Sequence, residues 1–394
     1  MVQIAKVLAE KGYRAYAVGG CVRDSIMGRE PSDWDMTTDA TPERMIEIFG
    51  AAGLHYIPTG LKHGTVTVMI NKKPFEITTF RIDGSYTDSR RPDKVEFSAN
   101  ISEDLCRRDF TVNAMAADPL SDDVASEIVD LFGGACDVDK KIIRCVGDPE
   151  KRFSEDALRI LRALRFATVL DFEIDRETFD AAVKLSGRLE EISAERKSVE
   201  LEKILLSEHA DRGVALLLET EIAKYIHHEI KAPEIALSTL PKLFSVRLAA
   251  LLLQNGKPNV SKMKLSNERR DQICLLADNT VYDNCRSYFG NNIAANARMT
   301  IAKYGNLASS AALLRGDDNF ARMIDEESTK NPATKISGLK VDGNTLMSAG
   351  IEQKKLGGIF STLLERAIEN PEINDREKLI RLAAELCGLT TEQK

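Results

Sequence analysis

Hydrophobic periodicity changes once along these 394 residues, near residue 150, and that change limits the fold more than any other feature. Before it, short alternating stretches stand between turn residues. Residues 13–18, 34–37, 65–70 and 75–80 read as strands, the last two joined as a hairpin by Asn71-Lys72-Lys73-Pro74. Thr41-Pro42-Glu43 supplies a cap, a first-position proline and a first-turn acid, opening a helix to about residue 49. Beyond residue 150 nearly everything has the helical period, with no strand pattern. A chain this long exceeds one core, at roughly 100–200 residues per domain. The expected class is therefore α+β. A small head with a mixed sheet occupies residues 1–145, followed by an all-helical neck (146–205), body (206–330) and tail (331–394). Turn residues at 328–332 and at Ser337-Gly338 mark the last joint.

Composition narrows the function classes. Apolar content of 43% and charged content of 29% exclude wholesale disorder. No window approaches the ~18–20 apolar residues of a membrane span, and the N-terminus reads as an amphipathic helix, not a leader. Seven cysteines (21, 106, 136, 145, 274, 285, 387) never form a CxxC pair. They argue against a zinc or disulfide framework and for a reducing cytoplasm. The net charge of −7 first suggests a chain that avoids nucleic acid. Yet residues 1–150 carry 18 basic against 25 acidic side chains, while residues 151–394 carry 36 of each. The deficit belongs to the head alone. Residues 257–303 hold eight bases against four acids, a candidate RNA contact.

Asp33-Trp34-Asp35 places two carboxylates at i and i+2, which a strand aims to one face. Two acceptor-only groups so close repel unless a cation lies between them, the arrangement of a Mg²⁺-dependent phosphoryl-transfer centre. A solvated strand edge would show the same pattern. Upstream, Gly19-Gly20-Cys21-Val22-Arg23-Asp24 turns from a strand into a helix start, where backbone N–H groups and Arg23 can meet phosphate oxygens. The spacing is neither a Walker loop nor a dinucleotide fingerprint, which argues against a P-loop ATPase and a Rossmann oxidoreductase.

Gly-Gly-x-Val-Arg-Asp followed by Asp-x-Asp resembles the polymerase-β-like nucleotidyltransferases. Within them it is similar to the class II tRNA nucleotidyltransferases, or CCA-adding enzymes, whose head bacterial poly(A) polymerases share. The resemblance is densest over residues 15–170 and weaker at 338–347. It implies an enzyme that adds CCA to the 3′ end of tRNA from CTP and ATP without a template. Mg²⁺ would be its cofactor, held by the catalytic pair Asp33 and Asp35, and Gly20 with Arg23 would hold triphosphate. Glu76 is either a third carboxylate beside that pair or a surface acid paired with Lys73 or Arg81. The polar segment 84–93 is similar to the family's flexible loop and looks full length, which favours CCA or A addition over CC alone.

Arg107-Arg108-Asp109-Phe110-Thr111-Val112-Asn113 is similar to the family's ribose-recognition motif. Arg108 suits phosphate or ribose oxygens; Asp109 and Asn113, i and i+4 on a helical face, suit the sugar hydroxyls. Behind a Ser154 cap, Asp156, Arg159, Arg162 and Arg165 recur every three residues beside the apolar Leu158, Leu161 and Leu164. This stripe resembles the family's base-reading motif. Asp156 can accept from the amine of cytosine or adenine while Arg159 donates to the adjacent ring nitrogen; uracil and guanine present the opposite groups. Arg162 and Arg165 would then face triphosphate or orient Asp156. The alternatives are a poly(A) polymerase, a CC-only or A-only enzyme, and an inactive RNA-binding protein. The five histidines (55, 63, 209, 227, 228) include no His-Asp pair, which argues against phosphohydrolase activity. Expected partners are tRNA lacking its CCA end, CTP and ATP, with no membrane; the chain is expected to be a monomer or homodimer.

Overall fold

The computed structural model describes residues 1–31, 33–83, 95–121 and 128–389. The expectation about segment 84–93 lies outside them. The chain divides into two compact units, Met1–His228 and Glu229–Lys394.

The first unit is built on a seven-stranded mixed sheet. Its strands are β1 (Ala15–Val18), β2 (Asp35–Thr38), β3 (His55–Gly60), β4 (Thr65–Ile70) and β5 (Lys73–Thr79). After the small hairpin β6 (Arg81–Asp83) and β7 (Val95–Phe97) come β8 (Met115–Ala117) and β9 (Ile128–Asp130), which complete the large sheet. The order is β3-β4-β5-β2-β1-β8-β9. Among the described residues of this sheet only β2 and β5 pair in parallel, because the chain leaves β2 through helix α3 and the β3–β4 pair before returning as β5. The β4–β5 turn is tighter than expected: Asn71 and Lys72 both take positive φ, 51° and 65°, the demand of a two-residue hairpin.

Helices α1 (Val2–Ala9) and α3 (Pro42–Ala51) cover one sheet face, α2 (Gly20–Ile26) lying between β1 and β2 in sequence. The core they enclose includes Ile4, Leu8, Met36, Met45, Phe49, Val66, Val68 and Ile77. Burying each such side chain is worth about 1.5–3 kcal/mol before entropy is subtracted. A second cluster, Val18, Phe80, Ile101, Leu105 and Ala116, ties β1 and β8 to α4 (Ile101–Cys106). Helix α5 (Gly134–Asp139) then leads to a two-residue strand, β10 (Ile142–Ile143).

Two features depart from the sequence reading. β10 pairs in parallel with β11 (Glu173–Ile174), a strand where only helices were expected; two residues carry no periodicity to detect. The helix expected behind a Ser154 cap does not start there, and residues 149–170 are split in two. They form α6 (Pro149–Glu155) and α7 (Leu158–Leu170), with Asp156 extended between them at φ −144°, ψ 103°. Leu158, Leu161 and Leu164 are buried as expected, and α7 packs on α9 (Ala194–Leu205), which follows α8 (Arg176–Leu185).

The second unit is helical among its described residues, with one isolated bridge between Gln254 and Asp278. Leu339, Leu346, Leu363 and Leu379 centre its C-terminal core. Of the bases in 257–303, Arg298 is buried and bonds Glu327 at 2.6 Å and the carbonyls of Ile368 and Glu369, so it belongs to the core rather than to a surface patch. Lys257, Lys262, Lys264, Arg269, Arg270 and Lys303 remain exposed.

Candidate active site

Where β1 ends, Gly19 takes φ +84°, and α2 begins on the next residue. The left-handed backbone favours glycine there, and a Cβ would stand 3.2 Å from Arg108 Nη1, close enough to press on that guanidinium. Asp33 and Asp35 reach the same side, Asp35 as the first residue of β2. The Cys21 thiol donates to the Asp35 carbonyl at 3.8 Å, tying the two segments together. Loss of surrounding water pushes the Asp35 carboxyl upward; Arg108 opposes that and Asp33 adds to it. Glu76 lies in register with Asp35 on β5 and is exposed. No third acidic, histidine or cysteine side chain completes a three-ligand cluster among the described residues.

Past α4 the expected helix does not continue. Asp109 is in irregular backbone and Thr111–Asn113 is one 3₁₀ turn. The pair still meets, because the turn brings Asn113 Nδ2 to donate to Asp109 Oδ1 at 3.3 Å. Asp109 also accepts from Arg162 Nε at 2.7 Å, across 53 residues of sequence. Burial alone would raise the Asp109 carboxyl, but Arg162 and Arg159 overcome it and lower the group to about 2. Arg108 is fixed from behind by Asp104, fully buried, at 3.0 Å, and Arg107 shares the same carboxylate. Arg23 donates Nη1 to Asn113 Oδ1 at 2.5 Å and Nε and Nη2 to Asp24. Arg165 lies 2.6 Å from Glu200 of α9 and stacks on Phe166. Burial lowers the pKa of its guanidinium, with Glu200 opposing.

These groups surround one cavity of about 310 Å³. Nine of the eleven residues singled out from sequence line it: Gly20, Arg23, Asp33, Asp35, Arg108, Asp109, Asn113, Arg162 and Arg165. Asp24 and Phe166 line it too, without having been singled out. Asp156 and Arg159 do not. The extended backbone takes Asp156 off the stripe, where Arg196 donates to both its oxygens at 3.3 and 2.7 Å; Arg159 stays on α7 with Arg162 and Arg165 but pairs with Glu155 at 2.8 Å. Arg196 and Glu200 were missed because their partners lie too far along the sequence for a spacing rule, whereas Asp104 sits four residues before Arg108, where an i,i+4 rule could have found it.

Residues 15–144 match the poly A polymerase head domain, and residues 171–234 match the probable RNA and SrmB-binding site of polymerase A. The CCA-adding enzyme of Ligilactobacillus salivarius (strain UCC118) is 35% identical over 414 aligned positions, covering 97% of this chain and 95% of that protein. This chain belongs to the CCA-adding enzyme family. The Bacillus stearothermophilus CCA-adding enzyme, solved in complex with CTP, is 30% identical at a TM-score of 0.80, covering 98% of this chain and 96% of that one. The Thermotoga maritima CCA-adding enzyme complexed with tRNA shares the fold, with a TM-score of 0.67, 19% identity and coverage of 98% and 94%. CCA-adding enzymes are nucleotidyltransferases, a class whose members use a divalent metal. The cavity fits one: two carboxylates share a wall, and Asp35 is held above its ordinary carboxylate range partly by Asp33, a repulsion that a cation removes. No helix among the described residues is long and apolar enough to cross a membrane.

Proposed function

We propose that this chain adds CCA to the 3′ end of tRNA, from CTP and ATP and without a nucleic-acid template. The carrying observation is the convergence of the Asp33/Asp35 carboxylates and the basic groups Arg108, Arg162 and Arg165 on one cavity. The tRNA 3′-hydroxyl attacks the α-phosphorus in line; the bond to the bridging oxygen breaks, and pyrophosphate leaves. Mg²⁺, held by Asp33 and Asp35 together with substrate phosphates, would supply Lewis-acid stabilisation and lower the pKa of the attacking hydroxyl.

The remaining roles belong to the chain itself. Gly20 and Arg23 shape the phosphate end, and Arg162 and Arg165 supply positive charge there. Arg108, Asp109 and Asn113 face the sugar. Asp156 and Arg159 select the base: an ionised Asp156 only accepts, so it favours the amines of cytosine and adenine, and Arg159 only donates. Both already hold partners, Arg196 and Glu155, which keep Asp156 an acceptor and Arg159 a donor. Base selection through them requires those bonds to be shared or exchanged as nucleotide enters. The finer partition into head, neck, body and tail at residues 145, 205 and 330, and a cytoplasmic location, belong to the same reading; seven free cysteines support the latter.

Incubation with tRNA ending before its CCA, with CTP and ATP singly and together, tests the function. Two C additions with CTP alone and a terminal A only when ATP is also present are expected. Long A tails made without CTP would assign poly(A) synthesis instead, and a halt after CC with both nucleotides would assign CC addition.

A further inference from the structure

Three guanidinium groups at the cavity meet one aromatic ring. The Cζ atoms of Arg165, Arg162 and Arg23 lie 3.7, 5.2 and 5.5 Å from the centroid of Phe166. The ring is itself nearly buried and is held by the edge of Phe110, with centroids 5.7 Å apart at 76°. Cations of like sign repel at such spacing. Each already has one carboxylate at its edge, Asp109, Glu200 or Asp24, and a further one would consume the remaining N–H groups. An aromatic face attracts cations through its quadrupole, adds no net charge, and takes a guanidinium by its plane, so the in-plane donors stay free.

The hydrogen bonds fit that division. Asp109 takes Nε and Nη2 of Arg162, and Glu200 lies beside Nε of Arg165. Among the described residues no acceptor bonds Nη1 of Arg162 or either Nη of Arg165. Arg23 differs, its three nitrogens being committed to Asp24 and Asn113. We infer that Phe166 is a positioning residue for polyphosphate binding: it holds Arg162 and Arg165 side by side, fully charged, with terminal N–H groups open to a triphosphate. The inference rests on the nucleotide-binding reading above and names the residue that organises its anionic end.

Calorimetric binding of CTP, UTP and inorganic tripolyphosphate to the full chain and to Phe166→Leu and Phe166→Tyr tests it, with melting curves for each. Phe166→Leu is expected to weaken CTP and tripolyphosphate by the same factor, about three- to thirtyfold. The CTP-to-UTP ratio should not move, and Phe166→Tyr should stay within about twofold of the parent. Should Phe166→Leu fail to fold, Phe166→Met takes its place with the same expectation. Equal losses in the Leu and Tyr variants, or parent-like tripolyphosphate binding by the Leu variant, would overturn the role of the ring. A parent chain that binds neither CTP nor tripolyphosphate would instead overturn the nucleotide-binding reading itself.

Discussion

Asp109 shows how one buried carboxylate carries both stability and site geometry. Its pKa falls from an unfolded value near 4 to about 2 in the folded chain, because Arg162 and Arg159 outweigh burial. The ionised form is therefore favoured in the folded state. That contribution, about 2 kcal/mol, is present above the unfolded pKa and is lost as pH falls through the folded one. Urea unfolding of the parent should show this loss between about pH 4 and pH 2. Asp109→Asn should be less stable at pH 7 and flatter across that window. Asp35 has the opposite sign. Its carboxyl is pushed upward, so the ionised group opposes folding at neutral pH. Asp35→Asn is expected to raise the melting temperature in metal-free buffer while abolishing nucleotide incorporation. A variant that incorporates normally would remove Asp35 from the reaction. Both aspartates stand out in the sequence, but the opposite directions of their shifts depend on which arginines the fold brings beside them.

At the scale of elements, the turn into α2 links backbone conformation to the site. Gly12 and Gly19 both have positive φ, +82° and +84°, but only Gly19 is crowded: nothing lies within 4 Å of a Cβ at Gly12. Alanine at either position should cost about 1 kcal/mol of backbone strain. Gly12→Ala is expected to keep incorporation, whereas Gly19→Ala, which presses on Arg108, should raise the KM for CTP about threefold or more. Steady-state kinetics with matched melting curves separates strain from displacement. Element reading from the sequence succeeded where the pattern was long. The strand 65–70 appears with the limits read from alternation, and α3 starts on Pro42, although the Thr41 side chain makes no cap hydrogen bond. It failed at the break between α6 and α7. The spacing of three among charged residues looks helical through Asp156, but Asp156 uses its side chain to accept the Leu158 N–H and leaves the helix.

For the whole molecule, the division after His228 has a measurable consequence. Every residue lining the 310 Å³ cavity, and every partner named for it, lies in Met1–His228. A chain cut to residues 1–228 is expected to bind CTP within about threefold of the full chain, given independent units. Heating the full chain should show two transitions in scanning calorimetry, one of them matching the fragment. A single transition, with a fragment that does not fold, would show that the units depend on each other. Residue type and local pattern already name the candidates for metal, phosphate, sugar and base, and place a mixed sheet before a helical remainder. Those properties follow from residue type and short-range period, which neighbours in the chain define. Packing in three dimensions sets which groups share a cavity, leaves Asp156 and Arg159 outside it with Arg196 and Glu155, and gathers three arginines at Phe166. Such outcomes rest on contacts across tens of residues, where distance along the chain places no limit on distance in space.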